Sequence, residues 1–439
     1  MKKTIIFLTA ALLCFALTGV SVPAEAAHPG YSLDRVMILS RHNIRSPLSG
    51  SGSLLGEITP HKWVEWTSGP SELSLRGAIL ETLMGQYFRL WLENEGFIPG
   101  NWRPAEGEVR FYANAKQRTL ATARYFSAGF LPVAEAPVEY HGEYDTMDPV
   151  FTPKLTFFSD EYARDAGAQI LEMGGAAGLK GIHAGQLDAI RLLMDVTDME
   201  ESGAYQAGLY GNLLEDENSL VLEADREPGL IGPLKTATSV ADALILQYYE
   251  EADEEKAAFG QRLTDEEWRQ IHGIVDAYSE TLFSAPLICV NAAHLLLEEI
   301  RSEMIREGRK FTFLCGHDSN VASVLAALGA EEYLLPETAE PKTPIGVKLV
   351  FERWLSEDGK AFYDVSLVYQ STEQLREASR LSLAHPPMKV PVRLGGTEPD
   401  ESGLISEAEL FSALDRARDA YDALGERYGQ KVESLDDAA

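Results

Sequence analysis

Cysteine is nearly absent from this chain, with three in 439 residues, at positions 14, 289 and 315. A protein of this length buries enough apolar surface without cross-links, so no disulfide framework is expected. The cysteines and nine histidines show no zinc-site spacing, and no HExxH, EF-hand or P-loop pattern occurs. Basic residues are also scarce: 38 Lys and Arg stand against 68 Asp and Glu, a formal charge of −30. That surface argues against nucleic acid or an anionic membrane as partner. It does not forbid a small anionic substrate. Screening over about 8–10 Å lets a few converging arginines override a distant acidic background. Only one long apolar run exists, "TIIFLTAALLCFALTGV", behind Lys2 and Lys3 and ahead of Ala24-Glu25-Ala26. Basic start, apolar centre and small-residue site predict a secretory leader over residues 1–26, cleaved after Ala26. The run is near the lower limit for spanning a bilayer, and Leu13 before Cys14 does not suit a lipoprotein site. A periplasmic or otherwise exported protein, free of the membrane after cleavage, is expected.

Hydrophobic content of 45% and charged content of 24% indicate a folded chain. The run "RVMILS" (35–40) reads as a buried strand, and "EVRFYAN" (108–114) as a second, followed directly by a helix from Gln117. Between them, residues 71–96 have helical period, with Leu75, Ile79, Leu83, Tyr87 and Leu90 sharing one face. Residues 160–280 are rich in Ala, Leu and Glu and read as mainly helical. Strand, loop and helix return over 310–330, and residues 346–370 predict a hairpin about an Asp-Gly turn. Ser406 and Glu409 form a capping box ahead of a terminal helix. The expected organisation is an α/β catalytic domain in two parts, 27–148 and 266–439, with a mainly α-helical domain inserted at 149–265.

Three strand-to-helix junctions carry the reactive side chains: Arg41-His42-Asn43-Ile44-Arg45, Gln117-Arg118, and Gly316-His317-Asp318. In parallel α/β sheets ligands bind beyond the carboxyl ends of strands, so the three loops would converge if their strands are neighbours. Singly, each residue has a structural reading. Arg118 could be a solvated loop arginine, Asp318 a helix cap, His317 a turn residue and His42 a satisfied core histidine. Jointly they match phosphoryl transfer. Arginine forks fit phosphate oxygens, a neutral imidazole can attack phosphorus, and the leaving alkoxide needs a general acid, for which Asp318 is the candidate.

"RHNIRSP" resembles the RHGxRxP signature of the histidine acid phosphatases, and "HDSN" their HD motif. Asn43, with "TPHKWVEW", "YANAKQRTLATA", "EPGLIGPL", "LILQYYE" and "TPIGVKLVFERW", is more similar to the bacterial periplasmic glucose-1-phosphatase branch. The likeness runs from about residue 30 to the end and is weak at about 155–220. It implies a phosphoglycerate-mutase-like α/β domain, its central mixed sheet flanked by helices, with an inserted helical domain. By the same resemblance, His42 is the phosphorylated nucleophile and Asp318 the proton donor. Arg41, Arg45, Arg118 and His317 hold the phosphate, and Glu227 binds the sugar hydroxyls. No metal and no cofactor are expected, and the substrate is a small phosphate monoester, glucose 1-phosphate or another sugar monophosphate. Glu227 could otherwise be a charged turn residue before Pro228-Gly229. A carboxylate there would accept bonds from hydroxyls and repel additional phosphates. A phytase or broad-specificity acid phosphatase is the alternative. A non-catalytic sugar-phosphate binder fits less well, since a binder has no use for a proton donor. Two departures stand out. The family has Gly where Asn43 stands, and its members carry several disulfides where this chain keeps only Cys289 and Cys315. Cys315, at the end of a core strand, is expected to be a buried thiol.

Overall fold

The computed structural model describes residues 27–48 and 53–429; the expected leader, residues 1–26, lies outside the described residues. The strands are β1 (Tyr31–Arg41), β2 (Val109–Ala113), β3 (Val138–Glu139), β4 (Ser219–Val221), β5 (Gly229–Ile231), β6 (Phe311–Gly316), β7 (Lys348–Ser356), β8 (Ala361–Tyr369), β9 (Met388–Pro391) and β10 (Ile405–Ser406). Eight of them form one mixed sheet in the order β10-β8-β7-β1-β6-β2-β3, with β9 also on β8. β1, β6, β2 and β3 run parallel to one another, while the β1–β7, β7–β8, β8–β9 and β8–β10 pairings are antiparallel.

Helices cover both faces of the sheet, which is why its central strands read as unbroken apolar runs rather than alternating ones. Val36 and Ile38 of β1, with Phe311 and Phe313 of β6, pack toward the Leu75–Asn94 and Gln117–Phe130 helices. Phe126 stacks on Phe313 at 4.3 Å. Met37 and Leu39 face the other way, against the Pro286–Ile305, Asp318–Ala327 and Glu407–Tyr428 helices. A third core joins Leu193, Val240, Leu244, Trp268 and Ile271 of the helical region to Ile44 and Ile345 beside the strand ends. From residue 160 to 283 the described chain is helical except for the β4–β5 hairpin, which the sequence pattern did not suggest. The terminal helix begins at the expected capping box of Ser406 and Glu409.

The expected buried face of the 75–94 helix is wrong. Leu75 and Ile79 are exposed, at 61% and 46%, and Leu83, Tyr87 and Leu90 are half-buried. The core side carries Leu80, Met84, Phe88 and Leu92, together with Gly77 and Gly85. This helix is apolar almost all round, so periodicity could not choose a face. The glycines choose it. A Cβ on Gly77 would lie 2.3 Å from the Ile44 carbonyl oxygen, and one on Gly85 2.2 Å from that of Phe126. Backbone approaches this close need glycine, and they press the helix onto the loop that follows β1 at Gly77 and onto the Gln117–Phe130 helix at Gly85.

Candidate active site

β1, β6 and β2 are adjacent and parallel, so their carboxyl ends open on the same edge of the sheet. Arg41 pairs with Gly316 and Ala113 with Cys315 in the register. This places the loops carrying His42, His317 and Arg118 side by side, as the sequence required. The His42 loop is pinned throughout. Arg41 N–H donates to Val347 O (2.9 Å) and His42 N–H to Gly316 O (3.0 Å). Asn43 N–H donates to Thr122 Oγ1 (3.1 Å), and the Asn43 side chain accepts from Ile44 N–H (2.8 Å) while donating to Glu81 (2.8 Å). Glu81 in turn pairs with Lys348 at 2.8 Å, both side chains fully buried. Lys348 also reaches Ser40 Oγ and Gly346 O. An ion pair this deep contributes little net stability, but it fixes geometry, because losing either partner strands a charge.

The tautomers of both histidines follow from their partners. His42 Nδ1 lies 2.9 Å from Asn43 O. A carbonyl only accepts, so Nδ1 carries the proton and Nε2 keeps its lone pair. Burial, and then the charges of Arg118, His317, Arg45 and Arg41, hold the His42 pKa well below its ordinary value, so the ring is neutral. At His317 the orienting residue is Asn114. Its Oδ1 accepts from Asp148 N–H (2.9 Å), which turns its amide nitrogen toward His317 Nε2 (2.8 Å). Nε2 therefore accepts and Nδ1 is protonated. That Nδ1 lies 3.4 Å from Arg118 Nη2. Two donors so placed are satisfied only by a shared acceptor, such as an anion's oxygen. The His42 and His317 rings are 5.4 Å apart, edge to face.

Three guanidiniums converge here. Arg41 donates to Glu340 Oε1 (2.8 Å) and Thr343 O and lies 3.6 Å from Asp318 Oδ2. Arg45 donates to Ser46 O and to Asp242 Oδ2 (3.0 Å). All three, Arg118 included, keep a buried Nε with no partner among the described residues. Burial first, and then the nearby Arg45 charge, lower Arg118 to about 10, and it remains a cation through the neutral range. Such donors match phosphate oxygens.

Asp318 does not cap its helix. His317 is the N-cap residue, its N–H donating to Asn320 Oδ1 (2.9 Å), and Asp318 opens the first turn with a side chain 38% exposed. Burial opposes its ionisation, but Arg41, His317, the Ser319 N–H and Arg45 outweigh that and hold its pKa below the usual range. Glu227 sits in the loop before β5, anchored by two backbone bonds between 225–226 and Leu155 and by the Lys154–Asp225 ion pair (2.6 Å). Its side chain is exposed, yet the protein around it, and then the facing Asp318 charge, raise its pKa. The six expected residues at the strand ends thus meet at one site, and Glu227, on the helical side, lies near enough for the Asp318 charge to act on it.

Four further groups belong to it. Asp242 carried a signal, as a lone carboxylate within the apolar run Val240-Ala-Asp-Ala-Leu-Ile-Leu246. His272 and Asp276 did too, as an i,i+4 pair on an amphipathic helix, 3.4 Å apart. Glu340, in an irregular loop, gave none. His272 Nε2 lies 3.2 Å from Glu340, which holds Arg41. Despite its burial, Asp276 and Glu340 raise His272 to about 10, and despite its own burial, Arg41 and His272 lower Glu340 to about 2. Among the described residues one group, His28, Glu352 and Asp364, could present three ligand atoms to a metal, but Lys389 already pairs with both carboxylates. It lies along β7 and β8, not in the cleft. Cys289 and Cys315 are free and buried, as a thiol reading of Cys315 required.

Comparison with known proteins agrees with this geometry. The model of the histidine phosphatase superfamily (branch 2) matches residues 32–156 and 234–370. A glucose-1-phosphatase of Providencia rettgeri is 36% identical over 95% of this chain and 99% of its own, and one of Salmonella typhimurium is 36% identical over 95% and 100%. Among solved structures, a phytase of Citrobacter braakii superposes with a TM-score of 0.79 at 26% identity, over 88% of this chain and 98% of its own. The sheet order, its flanking helices and these matches give the expected phosphoglycerate-mutase-like fold. The chain belongs to the histidine phosphatase superfamily, branch 2, and is a histidine acid phosphatase, a hydrolase of phosphate monoesters.

Proposed function

We propose that this enzyme is exported and hydrolyses glucose 1-phosphate, together with other sugar monophosphates, through a phosphohistidine at His42. The observation that carries the mechanism is a neutral imidazole with Nε2 unprotonated, set among three arginines. In the first step Nε2 attacks phosphorus while the bond from phosphorus to the sugar oxygen breaks. Asp318 gives its proton to the departing alkoxide, and the arginines with His317 Nδ1–H take the charge on the equatorial oxygens. In the second step the water oxygen attacks phosphorus as the bond from phosphorus to Nε2 breaks, Asp318 takes the water's proton, and inorganic phosphate leaves with His42 neutral again. The free enzyme holds Asp318 ionised, so its proton must come with substrate. A phosphate monoester is a monoanion below about pH 6, and a bound phosphate raises the neighbouring carboxyl. The rate per encounter is therefore highest in acid and falls as pH rises. The substrate assignment is supported by the two glucose-1-phosphatase relatives and by a carboxylate at Glu227 facing the proton donor.

The likeness to a phytase structure favours a second reading, inositol polyphosphate hydrolysis. A panel of glucose 1-phosphate, glucose 6-phosphate, phytate and p-nitrophenyl phosphate separates the two. Glucose 1-phosphate is expected to give the highest kcat/KM among the natural esters; phytate as the much better substrate overturns the assignment. Acid quenching during turnover of labelled glucose 1-phosphate should trap label on wild-type protein and none on His42→Ala. Label retained by that variant removes His42 as nucleophile.

A further inference from the structure

The charges in the cleft do not add up to a strongly positive pocket. Three guanidiniums, Arg41, Arg45 and Arg118, face the carboxylates of Glu340, Asp242, Asp318 and Glu227; His42 and His317 are neutral, and the charged His272 is paired with Asp276. Glu340 is 3% exposed and already shared by Arg41 and His272, so it cannot meet substrate. Asp318 handles the proton. Asp242 differs from both. It sits on the Pro233–Glu250 helix with Ala241 and Ala243 buried on either side, which fixes its backbone against the core. Its carboxylate, 19% exposed, reaches Arg45 at 3.0 Å and adds its charge to the fields acting on Arg41 and Arg118.

We infer that Asp242 is a specificity-setting residue: by neutralising Arg45 it matches the cleft to a single phosphate and disfavours substrates that carry a second one. The physical reason is charge count. With Arg41 paired to Glu340 and Arg45 to Asp242, a dianionic phosphoryl group already takes up all the positive charge that the three guanidiniums leave over. A further phosphate on the leaving group then meets Asp242 and Glu227, and Lys235, whose charge also acts on Glu227, offsets only one of the two carboxylates. Asp242 acts through Arg45 and through its own field, not on the reacting atoms. The inference deepens the sugar-monophosphate reading and rests on it for the choice of natural substrate.

The test compares Asp242→Asn and Asp242→Ser with wild type on two esters that differ by one phosphate, glucose 1-phosphate and glucose 1,6-bisphosphate. The expected result is a shift of the bisphosphate-to-monophosphate ratio of kcat/KM by on the order of tenfold toward the bisphosphate, read mainly in the bisphosphate KM. Equal losses on both esters would mean that Asp242 merely holds Arg45 in place, and an unchanged ratio would mean that it does nothing; either result overturns the inference. A second arm needs no glucose. With p-nitrophenyl phosphate as substrate, pyrophosphate should gain on orthophosphate as a competitive inhibitor in both variants, by a similar factor. Failure of glucose 1-phosphate turnover with success in this arm would sink the substrate reading and leave Asp242 standing. Should neither variant fold, wild type alone decides. Its discrimination against pyrophosphate must weaken as ionic strength rises, and a flat salt profile overturns the inference.

Discussion

The two walls of the cleft are built differently. On the sheet side, His42, Asn43 and His317 are nearly inaccessible, and backbone or buried side-chain partners fix their orientation. On the helical side, Glu227 is exposed in a hairpin loop and Asp242 reaches in from a helix with its carboxylate mostly buried. The family model matches the sheet side and resumes at residue 234, leaving 157–233, and with it Glu227, outside. The difference divides the labour. Phosphoryl transfer tolerates little misplacement, so its groups are held in a network in which each bond fixes the next. Choice among leaving groups needs only charge and hydroxyl acceptors at the rim, and these can change without disturbing the sheet.

Removing the proposed proton donor should break the comparison most sharply, because Asp318 is the sheet-side residue that faces the helical wall. Asp318→Asn is expected to lower kcat for glucose 1-phosphate by about 10²–10⁴-fold. It should affect p-nitrophenyl phosphate far less, because that leaving group needs little protonation. Equal losses on the two substrates would take Asp318 out of the donor role.

A second test is made behind His42, with no contact to substrate. Lys348→Met leaves Glu81 as a buried, uncompensated carboxylate and should cost about 3–5 kcal/mol of stability by denaturant unfolding. The double variant Lys348→Met/Glu81→Gln should regain most of that. If the rigidity of the His42 loop comes from this pair, the double variant will be stable and yet slow, with kcat lowered more than KM is changed. A double variant with full kcat would show that the backbone bonds of the loop suffice.

His272 offers a pH signature for the link between the helical region and Arg41. Its folded pKa is raised to about 10 from an ordinary 6.5. Its contribution to stability is therefore complete below about pH 6.5, declines as pH rises, and is gone above about pH 10. His272→Gln should flatten the alkaline limb of the unfolding free energy against pH and also shrink the part of the acid limb that Glu340 supplies, since Glu340 keeps Arg41 but loses His272 as a partner that lowers it. An unchanged alkaline limb would show that His272 is not charged in the folded protein.

The sheet side was legible in the sequence because it is local. A strand runs straight into its reactive loop at 35–45, and strand, loop and helix start follow one another at 310–320, so only the adjacency of β1, β6 and β2 had to come from the structure. The buried face of the 75–94 helix was misread because apolar residues surround it. The signal lay in Gly77 and Gly85, which report contacts made with distant backbone. Glu340 was invisible for a related reason. Its partners, Arg41 and His272, are 299 and 68 positions away, and nothing in an irregular loop marks a carboxylate as buried. Long-range electrostatic partnership leaves no periodic trace, whereas strand-end loops do.

The smallest expected effect lies at Glu227, and it bears most directly on the division between the walls. If the helical side governs only the leaving group, Glu227→Gln should raise KM for glucose 1-phosphate by a few-fold to about tenfold, the scale of one or two hydroxyl contacts to a charged acceptor. KM for p-nitrophenyl phosphate, which has no hydroxyls to bind, should stay as it was. The pKa of Asp318 should also drop slightly once the facing charge is gone, since the two carboxylates now raise each other. That would move the acid optimum to lower pH for both substrates. A change in KM for both esters alike, with no movement of the optimum, would place Glu227 in the scaffold of its hairpin and return substrate choice to the arginine side of the cleft.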